Sequence, residues 1–235
     1  MPHARRCRAA PLAGALLAVL VAIAAPLAAR AQPEGGGSLP WSLVGAETVS
    51  PGRGVLDVQT GWPSTSFGYT MGLGPSSDVS LRLGLLYGWE GTTHGQFGLS
   101  FYAPLRFRVA RTRDFRLLFH VDPGLKLYTT NSAEFGFQFP VGLVMGFPVR
   151  HDLEVGVGLD FLMTLLVTGV ASPRFVFGPL VGPYVEYHPN SQLAVGLNTR
   201  FGAAIDAYSS YEGRAGGTST DFAFVTQLFL GYRLP

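Results

Sequence analysis

The chain has 235 residues, of which 14% are charged and 47% hydrophobic, with a formal net charge of +2. A soluble domain carries about 25% charged residues, so an ordinary solvated surface is excluded, and 17 phenylalanines exclude a disordered chain. The 31 glycines follow no period of three, which excludes collagen.

Residues 1–31 read as a secretory signal peptide. His3, Arg5, Arg6 and Arg8 form a basic start, Ala9 to Ala29 is uncharged, and Ala29-Arg30-Ala31 offers a small-residue cleavage site. A membrane anchor is the alternative, but Pro11 and Pro26 interrupt the apolar run it would need. Removing the segment takes four arginines from 17 basic residues and leaves 13 against 15 acidic ones. The mature chain is then slightly acidic, so its charge gives no support for nucleic-acid binding. The one cysteine, Cys7, leaves with the signal, so no disulfide or thiolate metal site is expected, and no cofactor or metal is implied. Residues 32–53 are rich in Gly, Pro and Ser and read as a periplasmic lead-in to a domain over 54–235.

From residue 54 onward the pattern has period two. In 115–128 one face is Phe115, Leu117, Phe119, Val121, Pro123, Leu125 and Leu127; the other holds Arg116, His120, Asp122 and Lys126. In 153–167 the apolar series from Leu153 to Leu165 alternates with Glu154, Gly156, Gly158 and Asp160. Such alternation marks strands, whose successive side chains point to opposite faces. Ten segments fit: 54–62, 67–74, 79–89, 96–109, 115–128, 135–150, 153–167, 175–188, 192–206 and 221–234. Within them the charged residues and histidines share the face opposite the apolar one, and a one-residue slip would move charges onto it.

Two architectures satisfy this pattern. A soluble barrel or sandwich turns the apolar face inward; a transmembrane barrel turns it toward lipid. Large residues at successive positions, such as Phe135, Phe137 and Phe139, would overpack a closed interior. The polar face is full of glycine, which destabilises a solvated strand but suits a crowded lumen. The later segments also exceed the length that crosses a bilayer at a tilt. The sequence therefore predicts an all-β fold: a closed antiparallel up-and-down transmembrane barrel of about ten strands.

The connections point the same way. The links 63–66, 90–95, 129–134, 168–174 and 207–220 are mostly longer than 75–78, 110–114, 151–152 and 189–191. Short turns on one rim and long loops on the other is the outer-membrane arrangement, and an even strand number puts both termini on the short-turn, periplasmic side. Aromatic residues fall near the expected interfaces: Trp62, Trp89, Phe97, Phe175 and Phe222 by the long loops, Phe107, Phe115, Phe147, Tyr187 and Tyr232 by the turns.

The final stretch FAFVTQLFLGYRLP, with Phe222, Phe224, Leu228, Leu230 and Tyr232 in alternation, resembles the small, porin-like bacterial outer-membrane β-barrel superfamily. The resemblance covers about residues 54–235. It implies that the last strand is read by the barrel-assembly machinery and that the other partner is outer-membrane lipid. Members usually end on an aromatic residue, whereas this chain ends Leu234-Pro235.

The candidate functional feature is the inward charge set: Arg82, Arg106, Arg108, Arg116, Asp122, Lys126, Glu154, Asp160, Glu186 and Arg200. Unpaired charges inside a narrow barrel are costly, so Arg106, Arg108, Arg116, Lys126 and Arg200 are expected to pair with Asp122, Glu154, Asp160 and Glu186. The leading reading is a monomeric barrel with a charge-lined narrow lumen, either structural or a small passive pore for small solutes. Ten strands lie near the size at which side chains fill the interior. The alternative is a surface adhesin or ligand-binding barrel acting through the loop 207–220. A rim-located hydrolase ranks behind both. Glu90, His94, Asp206, Tyr208, Glu212 and Asp221 read as solvated rim residues, no Asp-x-Asp, Asp-x-His or His-x-Ser stands at a rim, and the chain is expected not to be an enzyme.

Overall fold

The structure, a computed structural model, describes residues 39, 41–129, 133–168, 171–208 and 216–235. The expected signal peptide and the start of the lead-in lie outside the described residues. The rest forms thirteen strands in one antiparallel sheet: β1 (Gly54–Trp62), β2 (Ser64–Gly74), β3 (Ser77–Gly88), β4 (Gly95–Tyr102), β5 (Leu105–Arg111), β6 (Arg116–Val121), β7 (Gly124–Tyr128), β8 (Glu134–Gln138), β9 (Val141–Arg150), β10 (Leu153–Thr168), β11 (Ala171–Tyr187), β12 (Leu193–Tyr208) and β13 (Gly217–Arg233). The first strand pairs with the last, Leu56 opposite Tyr232, and β10 pairs with β11. The sheet is therefore closed, with no free edge.

All ten expected segments are present, but 96–109, 115–128 and 135–150 are each divided in two. The register runs through the breaks: Tyr102 faces Gly124 on one side and Leu105 faces Val121 on the other. Thirteen strands thus make ten staves. Each break falls at a proline, Pro104, Pro123 or Pro140, which has no N–H for the ladder. Their carbonyls still accept: Ala103 N–H donates to Pro123 O at 2.8 Å and Asp122 N–H to Pro140 O at 2.9 Å. Because the three staves are neighbours, the lost rungs form one row across the wall.

The facing of the strands is decided by Phe119, 37% exposed, and its neighbour Leu118, 1% exposed. Phe67, Leu83, Phe101, Phe137, Phe222 and Leu228 likewise stand outside, while Asp57, Arg82, Arg116, Glu154, Glu186 and Arg200 are buried. An exterior of phenylalanine and leucine over ion pairs is the transmembrane arrangement, and the soluble alternative fails. The 16 residues of β10, at roughly 3.3 Å each and a 45° tilt, rise about 37 Å, enough for a hydrocarbon core of about 30 Å.

One rim carries the turns 75–76, 112–115, 151–152 and 188–192, together with Gly54 and Arg233; we call it the turn rim. The loop rim carries Pro63 and residues 89–94, together with the described strand ends at Tyr128, Glu134, Thr168, Ala171, Tyr208 and Gly217. The contrast in length is smaller than expected, because β2 and β11 begin early and leave Pro63 alone between β1 and β2.

Two features of the interior depart from expectation. The loop-rim half is apolar, with Leu86, Tyr128, Leu166, Val176, Leu180, Ala204 and Ala223 packed beneath Trp89. Trp89 is therefore an internal cap and not an interfacial aromatic. In the turn-rim half the lead-in does not stay outside the barrel. Its described residues run into the lumen, where Trp41, Ala46 and Val49 are fully buried. Trp41, Leu43 and Val49 pack with Val55, Ala194 and Phe229, and Ala46 packs with Leu118, Val144 and Tyr184. Composition suggested a linker, but the apolar residues between its glycines and prolines find a core inside the barrel.

Candidate functional site

The inward positions carry three tiers of polar contacts. At the turn rim, Arg116 Nη1 meets Glu154 Oε2 at 2.6 Å, as expected. The other oxygen of Glu154 accepts from the Tyr184 hydroxyl at 2.7 Å and from Ala46 N–H at 2.9 Å. Glu186 meets no strand arginine. It accepts from the Ser42 hydroxyl at 2.7 Å and from the successive N–H groups of Leu43, Val44 and Gly45 at 3.0, 3.2 and 3.1 Å. His188 Nε2 meets Oε1 at 3.0 Å, the oxygen that Leu43 N–H also reaches, while Ser42, Val44 and Gly45 converge on Oε2. Arg108 pairs with Glu47 of the inserted segment, which also lies 3.6 Å from Arg116 and 3.7 Å from Arg111.

In the middle tier Arg82 pairs with Asp57 at 2.8 Å. Arg106 holds Asp78 through Nε at 2.8 Å and Nη2 at 2.6 Å. The same guanidinium donates to the carbonyls of Leu43 and Ser42, both at 2.7 Å. Arg200 pairs with Asp160 at 3.1 Å, as expected. Asp122 meets His120 at 3.1 Å, not a strand arginine or lysine, and His120 reaches Asp160 at 3.0 Å with its other nitrogen. This arrangement is compact because several inward glycines leave room: a Cβ on Gly158 would run into the Arg200 guanidinium, and one on Gly142 into His120 and Asp160.

In the loop-rim tier Lys126 pairs with Glu90 at 2.8 Å. Glu90 was expected to be solvated, but it is buried, held by the hydroxyls of Tyr128 and Thr164, each at 2.8 Å. It is a non-glycine residue with φ of 46°, a conformation that costs energy and that the surrounding contacts must enforce. Burial alone would push its carboxyl up; the Lys126 ammonium and the two hydroxyls outweigh that and hold it below the usual carboxylate range. Nearby, Arg174 pairs with Asp206 and lies over the Trp89 ring.

Of the pairs expected, two are formed, Arg116–Glu154 and Arg200–Asp160. Arg82, Arg106, Arg108 and Lys126 instead take Asp57, Asp78, Glu47 and Glu90. In the sequence Glu47, Asp78 and Glu90 fall in a lead-in, a turn and a loop, outside the alternating segments. A signal was available: on the inward face the arginines and lysines outnumber the carboxylates, so acids had to come from outside the strands.

Between the segment 41–49 and the loop 89–92 lies a cavity of about 220 Å³, reached by Leu43 and Val44 from one side and walled by Arg82, His120, Asp122, Asp160 and Arg200. A second cavity of about 170 Å³ continues toward Glu90 and Lys126 and shares Tyr102, Pro140, Leu162, Val225 and Gln227 with the first. Among the described residues no group of His, Cys, Asp and Glu is arranged to hold a metal ion. Of the loop 207–220, the recognition tip that the sequence offers, residues 209–215 lie outside the described residues, and 207–208 and 217–220 belong to β12 and β13.

No protein-family model matches the sequence, and no curated protein does. Among solved structures the chain is similar to the outer-membrane protease OmpT from Escherichia coli, at 9% identity and a TM-score of 0.41, over 77% of this chain and 93% of that one. The expectation that this chain is not an enzyme does not stand beside that likeness, since the matched barrel is a protease. A likeness at that level assigns no activity to this chain.

Proposed function

We propose that this chain is a monomeric outer-membrane β-barrel whose lumen is sealed in its resting form, so that it serves as a membrane-embedded body and not as an open pore. The reading rests on the filled interior: residues 41–49 occupy the turn-rim half, and Trp89 with its apolar cluster occupies the other. The lipid-facing exterior and the signal-like start of the sequence support outer-membrane localisation. The alternating last strand supports recognition by the assembly machinery, with both termini periplasmic. Planar-bilayer recording tests the reading. The expected result is no conductance steps. Discrete steps that change when Arg108 and Arg116 are neutralised would overturn it in favour of a small passive pore for small solutes.

A further inference from the structure

We propose that the turn-rim half of the lumen is a binding cup for a peptide bent over residues 43–46, and that residues 41–49 are its resident occupant. This goes beyond the sealed-barrel reading and does not depend on whether the barrel conducts.

The chemistry of the wall addresses a peptide backbone. Glu186, Glu154 and Asp78 accept the N–H groups of residues 43–46 and 49, with Asp78 taking Val49 N–H at 2.8 Å. Arg106 donates to the two carbonyls on the other side. Three successive N–H groups converging on one carboxylate form a nest, a strong anion arrangement that needs no particular side chain. The segment itself makes no strand pairing along 41–49. Its tie to the sheet is the bridge from Pro51 to Gly72, just beyond it.

The wall is also shaped for a chain in contact. Gly146 and Gly231 lack side chains where the segment passes: a Cβ on Gly146 would stand 2.9 Å from that of Ala46, and one on Gly231 would run into Leu43. The segment answers in kind at Gly45, where a Cβ would run into the Glu154 carboxylate. Selectivity comes from three places. Trp41 sets its ring edge-on against His188 and donates to Ser191 O at 3.0 Å. Gly45 and Ala46 fit only as small residues. Glu47 supplies the carboxylate for the arginines at the rim. The cup therefore takes a bent peptide with an aromatic residue, small residues four and five positions further on, and an acid directly after them.

Two observations separate an exchangeable occupant from a permanent filler. The segment does not fill the space behind it, since Leu43 and Val44 face the 220 Å³ cavity. Its ionic contact is also loose: Glu47 Oε2 and Arg116 Nε, both buried, stand 3.6 Å apart as an ion pair, and neither makes a hydrogen bond. A half-satisfied buried network holds less tightly than a complete one.

The test uses the mature chain, with a protease site placed in the exposed stretch Ser50–Arg53 and cut after folding in detergent. A labelled synthetic peptide of residues 39–50 is then followed by fluorescence anisotropy. The cut barrel is expected to take up the peptide and the uncut barrel to exclude it. A peptide carrying Gly45→Val should compete at least tenfold more weakly, although the barrel is unaltered. Glu186→Gln in the barrel should weaken uptake by roughly tenfold or more, the worth of one charge-assisted hydrogen bond. The proposal is overturned if the cut barrel, still folded by its gel mobility, never exchanges its segment. It is equally overturned if cutting unfolds the barrel, or if the Gly45→Val peptide competes as well as the native one.

Discussion

Replacing Glu154 by Gln removes one charge from a fully buried pair while keeping the shape of the side chain. Arg116, 2% exposed, then loses its partner at 2.6 Å and keeps Glu47 only at 3.6 Å. Breaking a buried ion pair by neutralising one member costs about 3–5 kcal/mol, because the remaining charge is left in a poor solvent. With a urea dependence of about 2 kcal/mol per molar, the unfolding midpoint should fall by about 2 M. The assay is urea unfolding in detergent or lipid, read by gel mobility of unheated samples. Asp152→Asn is the control: it breaks an ion pair at the turn rim whose arginine is well exposed, and its midpoint should barely move. Arg116→Leu combined with Glu154→Leu should recover part of the loss. The residual deficit, about 1–3 kcal/mol, belongs to the Tyr184 hydroxyl and the Ala46 N–H left without an acceptor. If Glu154→Gln and Asp152→Asn prove equally mild, the inward placement of this charge set is refuted.

Other outcomes follow from the same geometry. Phe119→Arg puts a charge on the lipid face, three residues from the turn-rim end of its strand, and should cost about 1–3 kcal/mol, between the interface and midplane values; refolding into vesicles that tolerates it would contradict the outward facing. Gly158→Val drives a side chain into the Arg200 guanidinium and should cost about 1–3 kcal/mol by overpacking; an unchanged unfolding midpoint would show that the lumen is looser than described. The lowered pKa of Glu90 gives a sign for pH: its contribution is full above the ordinary carboxylate range and is lost as pH falls through the lowered value. The stability gap between native chain and Glu90→Gln should therefore be present at neutral pH and shrink in acid. A gap that widens in acid would contradict the Lys126 pairing.

Much of the architecture was legible because a strand has period two and a barrel wall has two solvents. The alternation of Phe119 with Arg116 and His120 fixes the face of each residue, and a slip would move every charge in a segment into hydrocarbon. Local sequence could not say which interior partner each charge would find. Pairing inside a barrel depends on staves far apart in the chain, such as Arg116 with Glu154, and on acids that the pattern assigns to no strand, such as Glu47 and Glu90.

The sequence by itself determined the strands, their count as ten staves and the side of each that meets lipid, since these follow from side-chain alternation alone. Only the tertiary structure decided that the chain from Trp41 to Val49 turns back into the lumen and that Trp89 caps the other half. The physical reason is closure. Bending ten staves into a ring creates an interior that no single segment encodes, with carboxylates aimed inward at a height where a passing backbone can satisfy them.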